Sequence, residues 1–189
     1  MKLLGLEKTG GGRFLKSYQL VYENNSGKEK KYEIVSHNEL ESPDMLGKKV
    51  SGVSMCGFYQ DKMLLLREFR MGVNQYIFNL CSGMVEEGET LEEGMTRELQ
   101  EETGLKIKRV IDILPPSFAA VAISDIRTQI AFVEVEGEIN GIPSENEDIH
   151  AGFYDRAEVT ELINNQEFSS RAQVCAYWFS KGLIGADVL

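Results

Sequence analysis

Short apolar runs separated by polar breaks dominate this chain, and their spacing predicts a β-rich molecule with a few helices. Residues 50–59 (VSGVSMCGFY) and 62–69 (KMLLLREF) are strand-like and joined by a Gln60-Asp61 turn, with a third run at 76–81. Residues 107–114 and 128–135 continue the series. Upstream, 14–23 (FLKSYQLVYE) and 31–35 are β-rich, and NNSGK between them is a turn signal. That pattern predicts an antiparallel N-terminal hairpin, too small to be stable alone, which must pack on the main domain or on another subunit. The polar stretch SHNELESPDMLGKK reads as a linker, so residues 1–44 are expected to form a β segment and 45–189 the main domain.

Period 3.6 takes over after Thr90. Leu91, Met95 and Leu99 recur every four residues and form a stripe about 80° wide on a helical wheel. Thr90 followed by Glu93 is a capping-box pattern, and Gly104 stands where a left-handed C-terminal cap is expected. Further helices are predicted around 156–164 and 170–181. Helices on both faces of a mixed sheet follow, an α/β architecture.

The helix after Thr90 also carries the densest chemistry. Eight of the seventeen residues from Glu86 to Glu102 are glutamate. Glu98 and Glu102 fall about 20° either side of the Leu91 line, so they edge the buried face. Two carboxylates one turn apart beside an apolar wall are costly unless something positive neutralises them. Hard oxygen ligands suit Mg²⁺ or Mn²⁺, and Mg²⁺ typically uses one or two carboxylates plus substrate phosphate oxygens. The competing reading is a solvated acidic helix. Arg97 and Glu101, four residues apart, can pair on the neighbouring strip.

Composition narrows the class. At 189 residues with 42% apolar positions the chain can build one main domain and an accessory segment. No apolar run approaches the ~18 residues that span a bilayer. The segment MKLLGLEKTGGG has neither a long apolar region nor a small-residue cleavage site, so a secretory signal is not expected. Cys56, Cys81 and Cys175 are odd in number and widely spaced, which reads as reduced structural thiols in a cytoplasmic protein. A net charge of −10 disfavours nucleic acid as a partner. An anionic small molecule then needs metal and a few placed arginines.

Gly83, five residues, Glu89, seven residues and then Arg97-Glu98-Leu99-Gln100-Glu101-Glu102-Thr103-Gly104-Leu105 resembles the Nudix box of the Nudix hydrolases at every defined position. The resemblance implies an α/β/α sandwich with a mixed β-sheet plus an N-terminal antiparallel β segment. It implies that Glu98 and Glu102 are the core metal ligands and that Glu101 supports or shares a cation. Arg97 would orient the glutamates with Glu89 bracing it, and the carbonyl of Ser82 would be a further metal contact. The cofactor implied is Mg²⁺, with Mn²⁺ as a substitute.

Two more segments bear on substrate. In PSENEDIHAGFYDRAEV, Pro143, Ser144 and Asn146 mark a loop that holds Glu145, Glu147 and Asp148. It is similar to the ENEDI loop of the ADP-ribose pyrophosphatase branch. That likeness implies Glu145 as general base and Glu147 as metal or water partner. His150 is a rival base, and a solvated acidic turn is the bland alternative. Arg70 ends the run Arg67-Glu68-Phe69-Arg70, and an arginine there can clamp a diphosphate. By resemblance it is a substrate contact; otherwise it is an exposed strand end paired with Glu68. Phe14 and Tyr18 could stack on a purine across a dimer or pack within the hairpin.

The branch implies a homodimer and hydrolysis of a nucleoside diphosphate sugar, ADP-ribose to AMP and ribose 5-phosphate. Nucleoside triphosphates or dinucleotides are alternative substrates, and a non-catalytic ligand-binding protein is the alternative class. The chain departs from the branch before the box. It reads Asn79-Leu80-Cys81-Ser82-Gly83 where the branch has Glu-Leu-Pro-Ala-Gly, and it has no Ser-Pro-Gly downstream.

Overall fold

The strand-like runs become strands, with 76–81 divided between two of them at Leu80, and the pairing adds some that local pattern does not announce. The computed structural model describes residues 1–141 and 145–188; the loop markers Pro143 and Ser144 lie outside the described residues. In chain order the elements are β1 (Lys2–Gly11), β2 (Lys16–Glu23), β3 (Glu29–Ser36), a 3₁₀ turn (Pro43–Met45), β4 (Val50–Tyr59), β5 (Lys62–Arg70), β6 (Gln75–Asn79) and β7 (Cys81–Met84). Then come α1 (Leu91–Thr103), β8 (Lys106–Ile113), β9 (Ser117–Phe118), β10 (Arg127–Glu136), β11 (Ile149–Tyr154), α2 (Arg156–Asn165) and α3 (Ser170–Ser180).

The chain divides into two compact units, residues 1–51 with 116–129, and residues 52–115 with 130–189. The first holds a three-stranded antiparallel sheet ordered β1-β2-β3. A third strand thus joins the expected hairpin. β1 escapes sequence reading because LLGLEKTGG has no period-2 alternation, and its ladder with β2 is broken by two irregularities, at Leu3/Gly5 and Lys8/Gly10. Tyr18, Leu20, Ile34 and Leu40 form the core of this unit. Tyr18 is fully buried, and its hydroxyl donates to the Asn38 carbonyl at 3.2 Å and accepts from the Leu40 N–H at 2.8 Å. Its ring is therefore packing, not a stacking surface, whereas Phe14 is exposed. The 116–129 segment is tied in by a Val35–Ser124 bridge and by Asp125, whose carboxylate accepts the Gly47 N–H at 3.0 Å.

The second unit is built on a mixed sheet whose central order is β11-β5-β4-β10-β8, with β6 paired to β5 and β7 to β4. Consecutive residues of β5 point to opposite faces and both faces are covered, which is why Met63, Leu64, Leu65 and Leu66 are all buried. Met63 and Leu65 join Cys56, Phe58 and Phe132 against Val159 of α2 and Ala172, Cys175 and Phe179 of α3. Leu64 and Leu66 join Val53, Met55, Ala131 and Val133 against Met95 and Leu99 of α1. The result is the α/β/α sandwich. Cys56, Cys81 and Cys175 are buried free thiols. Among the described residues no helix is long and apolar enough to cross a membrane.

α1 begins and ends as its residues dictate. The Thr90 side chain accepts the Glu93 N–H while the Glu93 carboxylate accepts the Thr90 N–H, and Gly104 closes the helix at φ 77°, where a side chain would be strained. Met95 and Leu99 are fully buried, so docking of α1 on the sheet rests largely on two side chains. Leu99→Ala should cost about 2–5 kcal/mol. A urea titration monitored by circular dichroism would show it as a lower midpoint with unchanged slope.

Candidate active site

The site starts from the short β7 and the helix that follows it. Gly83, on β7, lies directly under the carboxylate of Glu98: a Cβ there would sit 1.8 Å from the Glu98 Cδ. Glycine is what lets the Glu98 carboxylate rest against the strand here; any side chain would displace it. Glu98 is only 16% exposed and its Oε1 accepts from Arg97 Nη1 at 2.8 Å. Arg97 also holds Glu89 through two bonds of 3.0 Å, Glu101 at 3.3 Å and the Met84 carbonyl at 2.9 Å. One guanidinium thus binds the loop, the strand and its own helix. The Glu89 hydrogen bonds, then those of Glu98, push the Arg97 pKa up, while Arg97 holds the Glu89 carboxyl below its ordinary range.

Glu102, one turn after Glu98, sits differently. It is half-buried, and its Oε2 accepts the Ser82 N–H at 3.2 Å. Burial raises its pKa to about 8, and the charges of Glu98 and Glu68 push the same way against the bonds from Cys81 and Ser82. Burial raises the Cys81 thiol as well. Glu101 is 56% exposed and pairs only with Arg97 among the described residues.

The acidic loop reaches the same place from across the sheet. Glu98, Glu101 and Glu102 line a cavity of about 1050 Å³ together with Phe69, Asn140, Glu145, Glu147, Asp148 and His150. Among the described residues, no three acidic, cysteine or histidine side chains converge tightly on one point; the glutamates share a cavity rather than a preformed cage. His150 Nε2 contacts Asp148 Oδ1 at 2.8 Å. Asp148 also accepts the Tyr76 hydroxyl, the main cause of its lowered pKa, and Arg67 lies 3.9 Å above the Tyr76 ring.

Arg70 borders a second cavity of about 450 Å³ that shares Phe69, Met71, Asn146, Glu147, Asp148 and Ile149 with the first. Its Nη1 contacts Glu68 Oε2 at 3.3 Å. Glu68 carries no motif that marks it as functional, although alternation along MLLLREFR puts it on the buried face with Leu64 and Leu66. Asn79 and Ser169, which join it through hydrogen bonds, carried no sequence signal for this arrangement.

The chemistry of the donors fits a divalent cation. Glu102 is a half-buried carboxylate whose main partners are a backbone N–H and a thiol, and Glu98 adds a second hard oxygen donor beside it. Without such a cation the folded protein takes up a proton that the unfolded chain does not, because the Glu102 pKa rises from 4.5 to about 8 on folding. Stability is then highest below that window and falls as pH rises through it. Urea denaturation of the metal-free protein should show this fall between 4.5 and about 8. Glu102→Gln should flatten it.

Residues 48–177 match the NUDIX domain family. The chain is 29% identical over 127 residues to an ADP-ribose pyrophosphatase of Escherichia coli (strain K12), an alignment that covers 62% of this chain and 60% of that protein. It is 25% identical over 130 residues to an ADP-sugar pyrophosphatase of Mus musculus, covering 69% and 59%. The match therefore spans about three fifths of the length of these relatives. A crystal structure described as an ADP compounds hydrolase superposes with a TM-score of 0.74 at 19% identity, covering all of this chain and 98% of that one, and this likeness concerns the fold. With the family match extending over more than half of its length, the chain belongs to the Nudix family.

Proposed function

We propose that the chain is a pyrophosphatase that hydrolyses the diphosphate bond of a nucleoside diphosphate sugar, with ADP-ribose converted to AMP and ribose 5-phosphate. The observation that carries this reading is the single cavity lined by Glu98, Glu101, Glu102, Glu145 and Glu147, with Arg70 on the adjoining one. A volume of about 1050 Å³ suits a substrate larger than a phosphate. The relatives described as ADP-ribose and ADP-sugar pyrophosphatases support the substrate class.

Nudix hydrolases generally use divalent metal ions. Here Glu98 and Glu102 would hold the ion, with Glu101, Glu147 and the Ser82 carbonyl as further donors, and Mg²⁺ is the proposed ion with Mn²⁺ as a substitute. When bound, it neutralises diphosphate charge and acidifies the attacking water. Arg97 keeps Glu98 on β7 in the orientation its role needs, and Arg70 binds and orients the diphosphate through its planar fork. Glu145 takes the proton of the attacking water. His150, held by Asp148 in the same cavity, is the second reading for that role. A cytoplasmic homodimer joined through the N-terminal sheet belongs to the same proposal.

A panel of ADP-ribose, other nucleoside diphosphate sugars, dinucleotides and deoxynucleoside triphosphates, with products identified by mass, tests it. ADP-ribose should be cleaved best, EDTA should abolish turnover and Mg²⁺ should restore it. Faster hydrolysis of triphosphates would assign the site to them instead, and no hydrolysis of any member would leave a ligand-binding protein. Glu102→Gln should lower kcat by about 10²–10³-fold with the fold intact. Gly83→Ala should do comparable damage by displacing Glu98. If Glu145→Gln retains wild-type turnover, the proton goes to His150.

A further inference from the structure

The substrate arginine of this reading is poorly restrained by itself. Arg70 is 57% exposed, and among the described residues its guanidinium bonds only to Glu68, at 3.3 Å. An exposed arginine with one long contact samples many rotamers, and ordering it on binding costs affinity. Glu68 is the fixed member of the pair, with a side chain only 6% exposed. Its backbone lies between β6 and β11, opposite Ile77 on one side and Ile149 on the other. What holds its carboxylate is Asn79, whose Nδ2 donates to Glu68 Oε1 at 2.6 Å.

Asn79 is fixed in turn. Its Oδ1 accepts the Ser169 hydroxyl at 2.6 Å and the Leu80 N–H at 3.0 Å. Two donors on that oxygen decide the amide orientation, so the NH₂ group must face Glu68. Ser169 is anchored because its N–H donates to the Phe78 carbonyl at 3.0 Å, and the Phe78 N–H donates to Glu167 at 2.7 Å. It is also the N-cap of α3, accepting from Ala172. An amide is the side chain that this junction demands. It donates to a carboxylate on one side and accepts from a hydroxyl on the other, whereas a second carboxylate 2.6 Å from Glu68 would repel it.

We propose that Asn79 and Ser169 are positioning residues for the diphosphate, acting through Glu68 on Arg70, so that the start of α3 sets the orientation of the substrate-binding guanidinium. This rests on the assignment of Arg70 to the diphosphate made above. It places the role of Asn79 in a relay beneath the site rather than in contact with a base or ribose.

A double-mutant cycle tests it. Steady-state kinetics with ADP-ribose and Mg²⁺ would be measured for wild type, Asn79→Leu, Arg70→Ala and the double variant, with a parallel cycle for Ser169→Ala in case Asn79→Leu does not fold. Asn79→Leu should lower kcat/KM about tenfold, mostly through KM, when Arg70 is present. It should change kcat/KM by less than about twofold when Arg70 is alanine. Ser169→Ala should follow the same pattern with a smaller factor. Equal losses in both Arg70 backgrounds would overturn the relay while leaving the reading of Arg70 intact. Unchanged kcat/KM in Arg70→Ala itself would overturn both.

Discussion

One guanidinium holds the candidate site in register. Arg97 bonds to Glu89 in the loop, to the Met84 carbonyl on β7, and to Glu98 and Glu101 on α1. Glutamates crowded at one end of a sheet would spread apart by repulsion, and a planar cation with five donors is the group that can gather several acceptors at once. Glu98 lies flat on Gly83 because this pairing draws it there and because glycine leaves the space. Without Arg97 the strand and helix keep the Ser82 N–H bond to Glu102 and their apolar contact, neither of which directs the carboxylates of Glu89 and Glu98.

The apolar contact does its own part. Met95 and Leu99 bury the inner face of α1 against Leu64, Leu66 and Val133, so the helix cannot roll and carry its carboxylates away. Burial has a cost at Glu102, whose carboxyl is pushed to favour the proton. The neighbouring Cys81 thiol and Ser82 N–H relieve only part of it. Such a group lowers the stability of the empty fold near neutral pH and raises its appetite for a cation, a trade common where function uses charge. Arg70 is managed differently. It stays exposed, and in the proposed relay Glu68, which is buried, and the half-buried Asn79 and Ser169 supply the rigidity its own side chain lacks.

Much of this was legible from local pattern. The capping box at Thr90, the Leu91-Met95-Leu99 stripe and the Gly104 cap each depend on residues within one or two turns, and the helix formed where they put it. β4 and β5 were legible for a similar reason, since central strands covered on both faces demand near-continuous apolar runs, whereas β8 is a mostly exposed strand, half of it polar. β1 was not, because a glycine-rich strand with irregular pairing is defined by its partner β2. The pattern of 76–81 predicts one strand, yet Leu80 separates β6 from β7 because the two pair with different neighbours, β5 and β4.

The residues by themselves determined the acidic helix, its caps and the carboxylates that edge its buried face, since an α-helix has one geometry and the wheel follows from it. Only the tertiary structure decided that Glu145 and Glu147 share a cavity with that helix, that Gly83 lies under Glu98, and that Asn79 answers to Glu68 and Ser169. Those relations join positions as many as 90 residues apart. No local period encodes them, because they arise from which strands lie side by side and which faces the two layers of helices cover.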